Sequence, residues 1–160
     1  MTPQKDKAFA FKALHDLPGM FVLPNPWDVG SARILAGLGF KALASTSAGF
    51  AASTGVADYN ITRDLKLAHL RQLCAATPLP LTADLENGFG HSPETCAETI
   101  RLGAEAGLVG GSIEDFTGDA ANPQYETAAA ADRVRATVEA ANALPFPFLV
   151  TARAENFFTG

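Results

Sequence analysis

The residues with the most informative types and spacing are acidic. Asp84 and Glu86 stand two positions apart in ADLENGFG (83–90), and because side chains alternate along a strand, both point to the same side of its end. Glu114 ends another apolar run in SIED, and Asp58 lies in a long preceding loop. If these four carboxylates converge with no basic residue between them, they repel one another strongly in a partly dry cleft.

A hard divalent cation would relieve this repulsion. An all-oxygen donor set without ligand-spaced His or Cys favours Mg²⁺ or Mn²⁺ over Zn²⁺. We therefore predict Mg²⁺ as the cofactor, with Mn²⁺ as the alternative, held by Asp58, Asp84, Glu86 and Glu114. The competing interpretation is that Asp58 and Glu86 only cap helices or meet solvent.

Arg153, near the end of the last apolar run, is the residue we expect to bind an anionic substrate. A guanidinium group binds a carboxylate or phosphonate through two parallel hydrogen bonds. The alternative role is a structural ion pair with Glu114 or Glu155. The small, hydroxyl-rich segment STSAGFAASTGVAD (45–58) offers backbone N–H groups that could cradle an anionic oxygen.

These residues must be positioned by the surrounding secondary structure. Short apolar runs alternate with helical patterns along the chain, which is typical of parallel βα units. The predicted strands span 21–28, 41–46, 79–86, 108–115 and 146–155. The predicted helices span 5–16, 29–38, 62–76, 93–106 and 127–142. Because ligands bind at the carboxyl ends of parallel strands, where the following loops converge, we expect the site at that edge.

Five βα units are fewer than the eight of a closed barrel, which takes about 200 to 250 residues. The pattern alone leaves two architectures open: an open α/β sheet, or a barrel of which this chain contains only a part. An open nucleotide-binding sheet normally has a Gly-rich turn after its first strand. NPWDVGSAR contains neither GxGxxG nor GxxxxGK, which disfavours dinucleotide and nucleotide binding.

Composition narrows the class of protein further. The 160 residues are 48% hydrophobic with a net charge of −5, which predicts one compact domain over 1–160. The absence of a basic run argues against a nucleic-acid partner. No apolar run approaches the ~20 residues of a membrane span, and the amino terminus lacks an apolar export segment, so no membrane partner is expected. Cys74 and Cys96 are predicted to be reduced thiols, which favours a cytoplasmic protein.

Five ordered motifs together resemble the isocitrate lyase and phosphoenolpyruvate mutase superfamily. They are LPNPWDVGSAR (23–33), TSAGFAASTGVAD (46–58), LTADLENGFG (81–90), GGSIED (110–115) and TARAENF (151–157). The resemblance implies a (β/α)₈ barrel of TIM type with an extra amino-terminal helix, cut short here after about five βα units. It also implies Mg²⁺ bound with a small carboxylate or phosphonate substrate, on which an enolate develops as a C–C or P–C bond breaks.

The resemblance also assigns roles to residues. It implies that Asp84 binds the metal directly and that Asp58, Glu86 and Glu114 hold it mainly through water. Arg153 would bind the substrate carboxylate or phosphonate. The substrate carboxylate would rest in the cradle of Thr46, Ser47 and Ala48. Asn122, in the loop 115–127, is the candidate lid residue.

Two departures from the superfamily pattern bear on the reaction. Isocitrate and methylisocitrate lyases carry a Lys-Lys-Cys-Gly-His loop, of which NGFGHSPETCAET keeps only His91, so those two activities are disfavoured. The loop 115–127 has Asn122 but no Lys, so phosphoryl migration lacks its expected electrophile. We therefore expect a Mg²⁺-dependent lyase acting on a small 2-oxo or 2-hydroxy dicarboxylate by C–C cleavage or decarboxylation.

Other functions stay open at this point. Within enzymes, the alternative is a phosphonate P–C hydrolase or a phosphonomutase; outside them, it is a non-catalytic small-acid binding protein or an inactive fragment. Members of the superfamily continue through further strands and exchange a helix between subunits. A chain with unpaired strand edges invites association, so we expect a homo-oligomer and little turnover by the chain as given.

Overall fold

The structure is a computed structural model that describes residues 2–159. One parallel sheet has the strand order β1-β2-β3-β4. The strands are β1 (Leu43–Ala44), β2 (Leu81–Asp84), β3 (Gly110–Glu114) and β4 (Leu149–Arg153). The helices are α1 (Gln4–Asp16), α2 (Val29–Gly37), α3 (Ser47–Ser53), α4 (Arg63–Ala76), α5 (Pro93–Glu105), α6 (Thr127–Asn142) and α7 (Asn156–Thr159).

The strand order identifies the architecture. Each strand pairs with the next one along the chain, and α4, α5 and α6 pack against one another in the same sequence. A doubly wound open sheet reverses its strand order partway, whereas a (β/α)₈ barrel continues in one direction. The predicted α/β class of (β/α)₈-barrel type is therefore confirmed.

The predicted first strand, 21–28, is wrong. This segment is extended, and the Ala44 N–H donates to the Pro24 carbonyl at 3.0 Å, but the segment forms no strand. Pro24 and Pro26 have no N–H to donate to a ladder, so regular pairing cannot continue through them. The other four predicted strands are present and shorter than expected.

The five predicted helices are present, each end lying within one residue of its expected position. Hydroxyl side chains cap two of them: Thr62 accepts from Leu65 N at 3.3 Å, and Ser92 accepts from Thr95 N at 3.2 Å. Helix α3 was not predicted, because its residues lie in the segment interpreted as a hydroxyl-rich loop. Its N-cap is Thr46, whose hydroxyl accepts from Gly49 N at 3.1 Å.

The core lies between the sheet and the helices that flank it. Its largest fully buried aliphatic side chains are Leu43, Leu70, Leu73, Leu81, Leu85, Ile100, Leu108 and Ile113. A smaller cluster, in which Phe11 of α1 packs against Ala42 and Val109, lies at the amino ends of β1 and β3. Helix α1 therefore covers the end of the sheet opposite to the carboxyl edge, which leaves that edge for a site. No helix within residues 2–159 is both long and apolar enough to cross a bilayer.

Candidate active site

A cavity of about 460 Å³ opens at the carboxyl edge of the sheet. Strand register brings its walls together, because Asp84 is level with Ser112 and Glu114 is level with Arg153. Most of the predicted site residues line this cavity: Thr46, Ser47, Ala48, Asp58, Asp84, Glu114 and Arg153.

Asp84, the last residue of β2, is held by four hydrogen bonds. Its Oδ2 accepts from both the N–H and the hydroxyl of Ser47, at 3.0 and 2.6 Å. Its Oδ1 accepts from Glu86 N at 3.1 Å and from Arg153 Nη1 at 3.3 Å. Burial alone would raise the pKa of Asp84, but the Ser47 hydrogen bonds and the charge of Lys66 outweigh it and lower that pKa. Asp84 is therefore a preorganised carboxylate anion.

Arg153, the last residue of β4, connects the acidic side chains. Its Nη1 lies 3.3 Å from Glu114 Oε2, and its Nη2 lies 2.6 Å from Glu155 Oε1. The ion pairs that formed the alternative interpretation of Arg153 are thus present, while the side chain also lines the cavity. The expectation of an acidic cluster with no basic group between its members is wrong, because the guanidinium group stands between Asp84 and Glu114.

Glu114, at the end of β3, is buried with 3% of its surface exposed. Burial raises its pKa to about 7, against the opposing effects of a hydrogen bond from Tyr59 and the charge of Arg153. The Tyr59 hydroxyl donates to Glu114 Oε1, and the Tyr59 ring lines the cavity. Glu114 therefore titrates near neutral pH and has one oxygen facing Arg153 and the other facing Tyr59.

Glu86 is close to the cavity but does not line it. It lines a neighbouring cavity of about 450 Å³ instead, and its backbone is left-handed, with φ 50°. Its Oε1 is buried and has no hydrogen-bond partner among residues 2–159. Burial, together with the charges of Asp84 and Asp58, raises the pKa of Glu86 to about 7.

Asn122 lies outside both cavities, on an exposed turn. Its Nδ2 donates to Asp119 Oδ2 at 3.3 Å, and its carbonyl accepts from the Thr117 hydroxyl at 2.6 Å. An isolated bridge between Phe116 and Gln124 closes the base of this loop. The structure does not bring Asn122 to the site, and its role as a lid residue stays a prediction.

Lys66 is a charged residue that the sequence analysis did not select. Its side chain on α4 is fully buried, and its Nζ has no hydrogen-bond partner among residues 2–159 and lies 5.9 Å from the Phe50 ring centroid. Burial lowers its pKa to about 8, against the opposing charges of Asp84 and Glu86. A signal was available, because Lys66 precedes the buried Leu70 by four residues and therefore shares its helix face.

The acidic side chains at this site suit Mg²⁺ better than a metal ion whose ligands must all come from the protein. Within the described part of the chain, no three Asp, Glu, His or Cys side chains form a ready-made metal site. Mg²⁺ usually keeps several waters and is held by one or two carboxylates, so it does not require such a group. The raised pKa values of Glu86 and Glu114 and the unpartnered Glu86 Oε1 mark acidic charge that a divalent cation would stabilise.

Several known proteins are similar to this chain in sequence or in structure. The family model for phosphoenolpyruvate phosphomutase matches residues 11–160. A Burkholderia cenocepacia J2315 protein described as a candidate lyase or mutase is 60% identical, with a TM-score of 0.96 over 98% of this chain. A second protein from that strain, described as a candidate phosphonomutase, is 35% identical, with a TM-score of 0.91 over 99%. The 2-methylisocitrate lyase of Bacillus subtilis is 30% identical over 113 residues, or 70% of this chain.

The chain is shorter than these relatives. It spans 56% and 62% of the two Burkholderia chains. It spans 37% of the Bacillus subtilis enzyme. The resemblance inferred from the five motifs is confirmed over the matched residues.

Proposed function

The chain belongs to the phosphoenolpyruvate phosphomutase family, and from that premise we propose that it contributes the metal- and anion-binding edge of a Mg²⁺-dependent lyase. The proposed substrate is a small 2-oxo or 2-hydroxy dicarboxylate, which is cleaved at a C–C bond or decarboxylated. The relatives named above include a lyase and a candidate phosphonomutase, so the reaction class is our inference from this chain's own residues.

One observation carries the proposal. Arg153 Nη1 lies 3.3 Å from both Asp84 Oδ1 and Glu114 Oε2, where three adjacent strands end in a cavity of about 460 Å³. The Arg153 guanidinium group, placed between two carboxylates in this cavity, suits a small anion that also contacts a bound metal ion.

The proposed metal ligands are carried over from the family resemblance. Asp84 would bind Mg²⁺ directly, and Asp58, Glu86 and Glu114 would hold it through water. When bound, Mg²⁺ supplies a Lewis acid that stabilises the negative charge of a developing enolate.

The chain's own residues bind and orient the substrate. Arg153 would exchange part of its contact with Asp84 and Glu114 for the substrate carboxylate, which it can bind with two parallel hydrogen bonds. Ala48 lies in the first turn of α3, where backbone N–H groups have no partner within the helix. Thr46 and Ala48 therefore supply the proposed cradle, since Ser47 already donates both its groups to Asp84.

Phosphonate chemistry is the second candidate function. The 35% identical candidate phosphonomutase favours it. Against it, the loop 115–127 contains no Lys, and Lys66 is fully buried and does not line the cavity. Among the described residues that line the cavity, Arg153 is then the only one with a cationic side chain. We therefore favour the lyase.

Titration calorimetry tests the proposal with oxalate, which mimics the enolate of pyruvate. We expect the chain to bind oxalate only when Mg²⁺ is present. Asp84→Ala should lower the affinities for Mg²⁺ and for oxalate by about 100-fold, because a Lewis-acid metal contributes several kcal/mol. The matched control is Asp132→Ala, an exposed acidic residue on α6. Unchanged oxalate affinity in Asp84→Ala would contradict the proposal.

Turnover assays separate the reaction classes. With a protein extended to the length of its relatives and a panel of 2-oxo and 2-hydroxy dicarboxylates, we expect release of a smaller 2-oxo acid or of CO₂. Release of phosphate from phosphonopyruvate, with no dicarboxylate cleaved, would favour the hydrolase instead. Oxalate binding without turnover of either class by a protein extended to the length of its relatives would favour a binding protein.

A further inference from the structure

Two cavities of similar volume lie side by side at the carboxyl edge of the sheet. The substrate cavity has a volume of about 460 Å³ and the neighbouring one about 450 Å³. Polar side chains of the second cavity include Thr62, Arg63, Asn87 and His91. Among the residues that the structure describes, Tyr59 alone lines both cavities.

Two contacts hold Tyr59 in place against an unfavourable backbone conformation. Its backbone is left-handed, with φ 61°, a conformation that costs a bulky residue roughly 1 to 2 kcal/mol. Its hydroxyl donates to Glu114 Oε1. Its ring packs against Phe116, with centroids 4.7 Å apart and planes tilted by 55°. The unfavourable backbone geometry is therefore offset by contacts that fix the ring between the two cavities.

From this placement we propose that Tyr59 determines substrate size, because its ring separates the substrate cavity from a distal subsite lined by Arg63 and His91. This inference rests on the proposed function of the site. With the ring in place, the distal carboxylate of a longer acid is kept away from Arg63 and His91. Without it, the distal carboxylate of a longer 2-oxo dicarboxylate can reach the polar side chains of the second cavity.

The chemistry of the second cavity suits a polar arm rather than an apolar one. Arg63 supplies a guanidinium group, of which Nη1 is bound to Glu98 Oε2 at 2.6 Å. His91 Nδ1 is held by the Tyr125 hydroxyl at 2.7 Å, which orients its ring.

Calorimetry with two probes tests the inference in the Mg²⁺-loaded full chain. The probes are oxalate, which has no distal arm, and 2-oxoadipate, whose distal carboxylate is separated from its 2-oxo acid group by three methylene groups. We expect the wild type to bind oxalate about tenfold more tightly than 2-oxoadipate. Tyr59→Gly, which relieves the left-handed strain, should reduce this preference about fivefold by strengthening 2-oxoadipate binding.

Tyr59→Phe is the matched control, because it keeps the ring and removes only the hydroxyl group. It should retain the wild-type preference. Loss of the preference in Tyr59→Phe would show that the Glu114 hydrogen bond, not the ring, is responsible, and would overturn the inference. An unchanged preference in Tyr59→Gly would overturn it as well.

Two further readouts separate the possible failures. If Tyr59→Gly melts at a lower temperature than the wild type, Tyr59→Asn replaces it as the variant without the ring, since Asn tolerates a left-handed backbone. Failure of the wild type to bind oxalate would contradict the proposed function itself, and the size-selection role of Tyr59 would fall with it. Normal oxalate binding with no change in preference would contradict only the role of Tyr59.

Discussion

Ser47 donates two hydrogen bonds to the same oxygen of Asp84. The backbone N–H lies 3.0 Å and the hydroxyl 2.6 Å from Oδ2. This arrangement fixes the carboxylate and turns Oδ1 toward Arg153. The donors of Ser47, which the sequence analysis assigned to the substrate, thus serve to orient the carboxylate proposed as the metal ligand.

Replacing Ser47 with Ala removes the shorter of these hydrogen bonds. A hydrogen bond to a charged group contributes about 1.5 to 3 kcal/mol, so we expect the free energy of unfolding to fall by about 2 kcal/mol. The pKa of Asp84 should rise, because the Ser47 hydroxyl helps to lower it. Urea unfolding measures the first effect, and a pH titration of the Asp84 carboxyl group by NMR measures the second. Ser53→Ala is the control, since that hydroxyl donates to the Phe50 carbonyl instead; an equal loss in both variants would contradict the special role of Ser47.

Glu86 should make stability depend on pH when no divalent cation is present. Its pKa is about 7 in the folded chain against an ordinary value of 4.5, so folded and unfolded chains differ in protonation between these values. As pH rises through this window, the folded state must bury a charge that the unfolded state already carries in water. The free energy of unfolding therefore falls.

The comparison with Glu86→Gln isolates this effect from other titrating groups, including His69, whose lowered pKa acts in the opposite direction. Relative to the variant, the wild type should lose about 2 kcal/mol between pH 4.5 and pH 8. Urea unfolding at several pH values in a chelating buffer measures the difference. A constant difference across this range would show that Glu86 titrates normally.

Lys66 should destabilise the metal-free fold at neutral pH. Burial lowers its pKa to about 8 from 10.5, so below pH 8 the folded chain buries a charge that the unfolded chain exposes. Lys66→Met should raise the free energy of unfolding by about 1 kcal/mol at pH 7. This gain is smaller than the pKa shift of Lys66 alone would give, because Asp84 and Glu86 lose a counter-charge. The gain should shrink as pH rises from 8 toward 10.5.

Thermal and urea unfolding at pH 7 and pH 10 measure this gain. Lys41→Met, at an exposed position, is the control and should change little. If Lys66→Met instead lowered stability at pH 7, the ammonium group would be making a net favourable interaction with the acidic side chains.

Arg133 organises the loop that follows β2. Its side chain is 2% exposed, and its guanidinium group donates to the carbonyl oxygens of Asn87, Gly90 and His91. Arg133→Met leaves these acceptors without their donor and should cost about 3 kcal/mol in urea unfolding. Arg135→Met is the control, because Arg135 pairs with Asp132 at an exposed position; this substitution should cost less than about 0.5 kcal/mol. Similar losses in both variants would contradict this account.

Local patterns predicted the helices well because their starts and ends depend on neighbouring residues. Ser92 followed by Pro93 begins α5, and Thr62 begins α4, through contacts within four residues of the cap. The segment 21–28 was misinterpreted because its hydrophobicity resembles a strand, while its prolines prevent pairing. Helix α3 was missed because small residues give only a weak helical pattern.

The sequence by itself determined that Asp84, Glu114 and Arg153 reach the carboxyl edge, because each ends a parallel strand and such strands align their ends there whatever the loops do. Only the tertiary structure decided what each group faces. Ser47 meets Asp84 across 37 positions and Tyr59 meets Glu114 across 55. Such contacts depend on the path of each loop and on the packing of the whole core, whose free energy is not encoded in any local pattern.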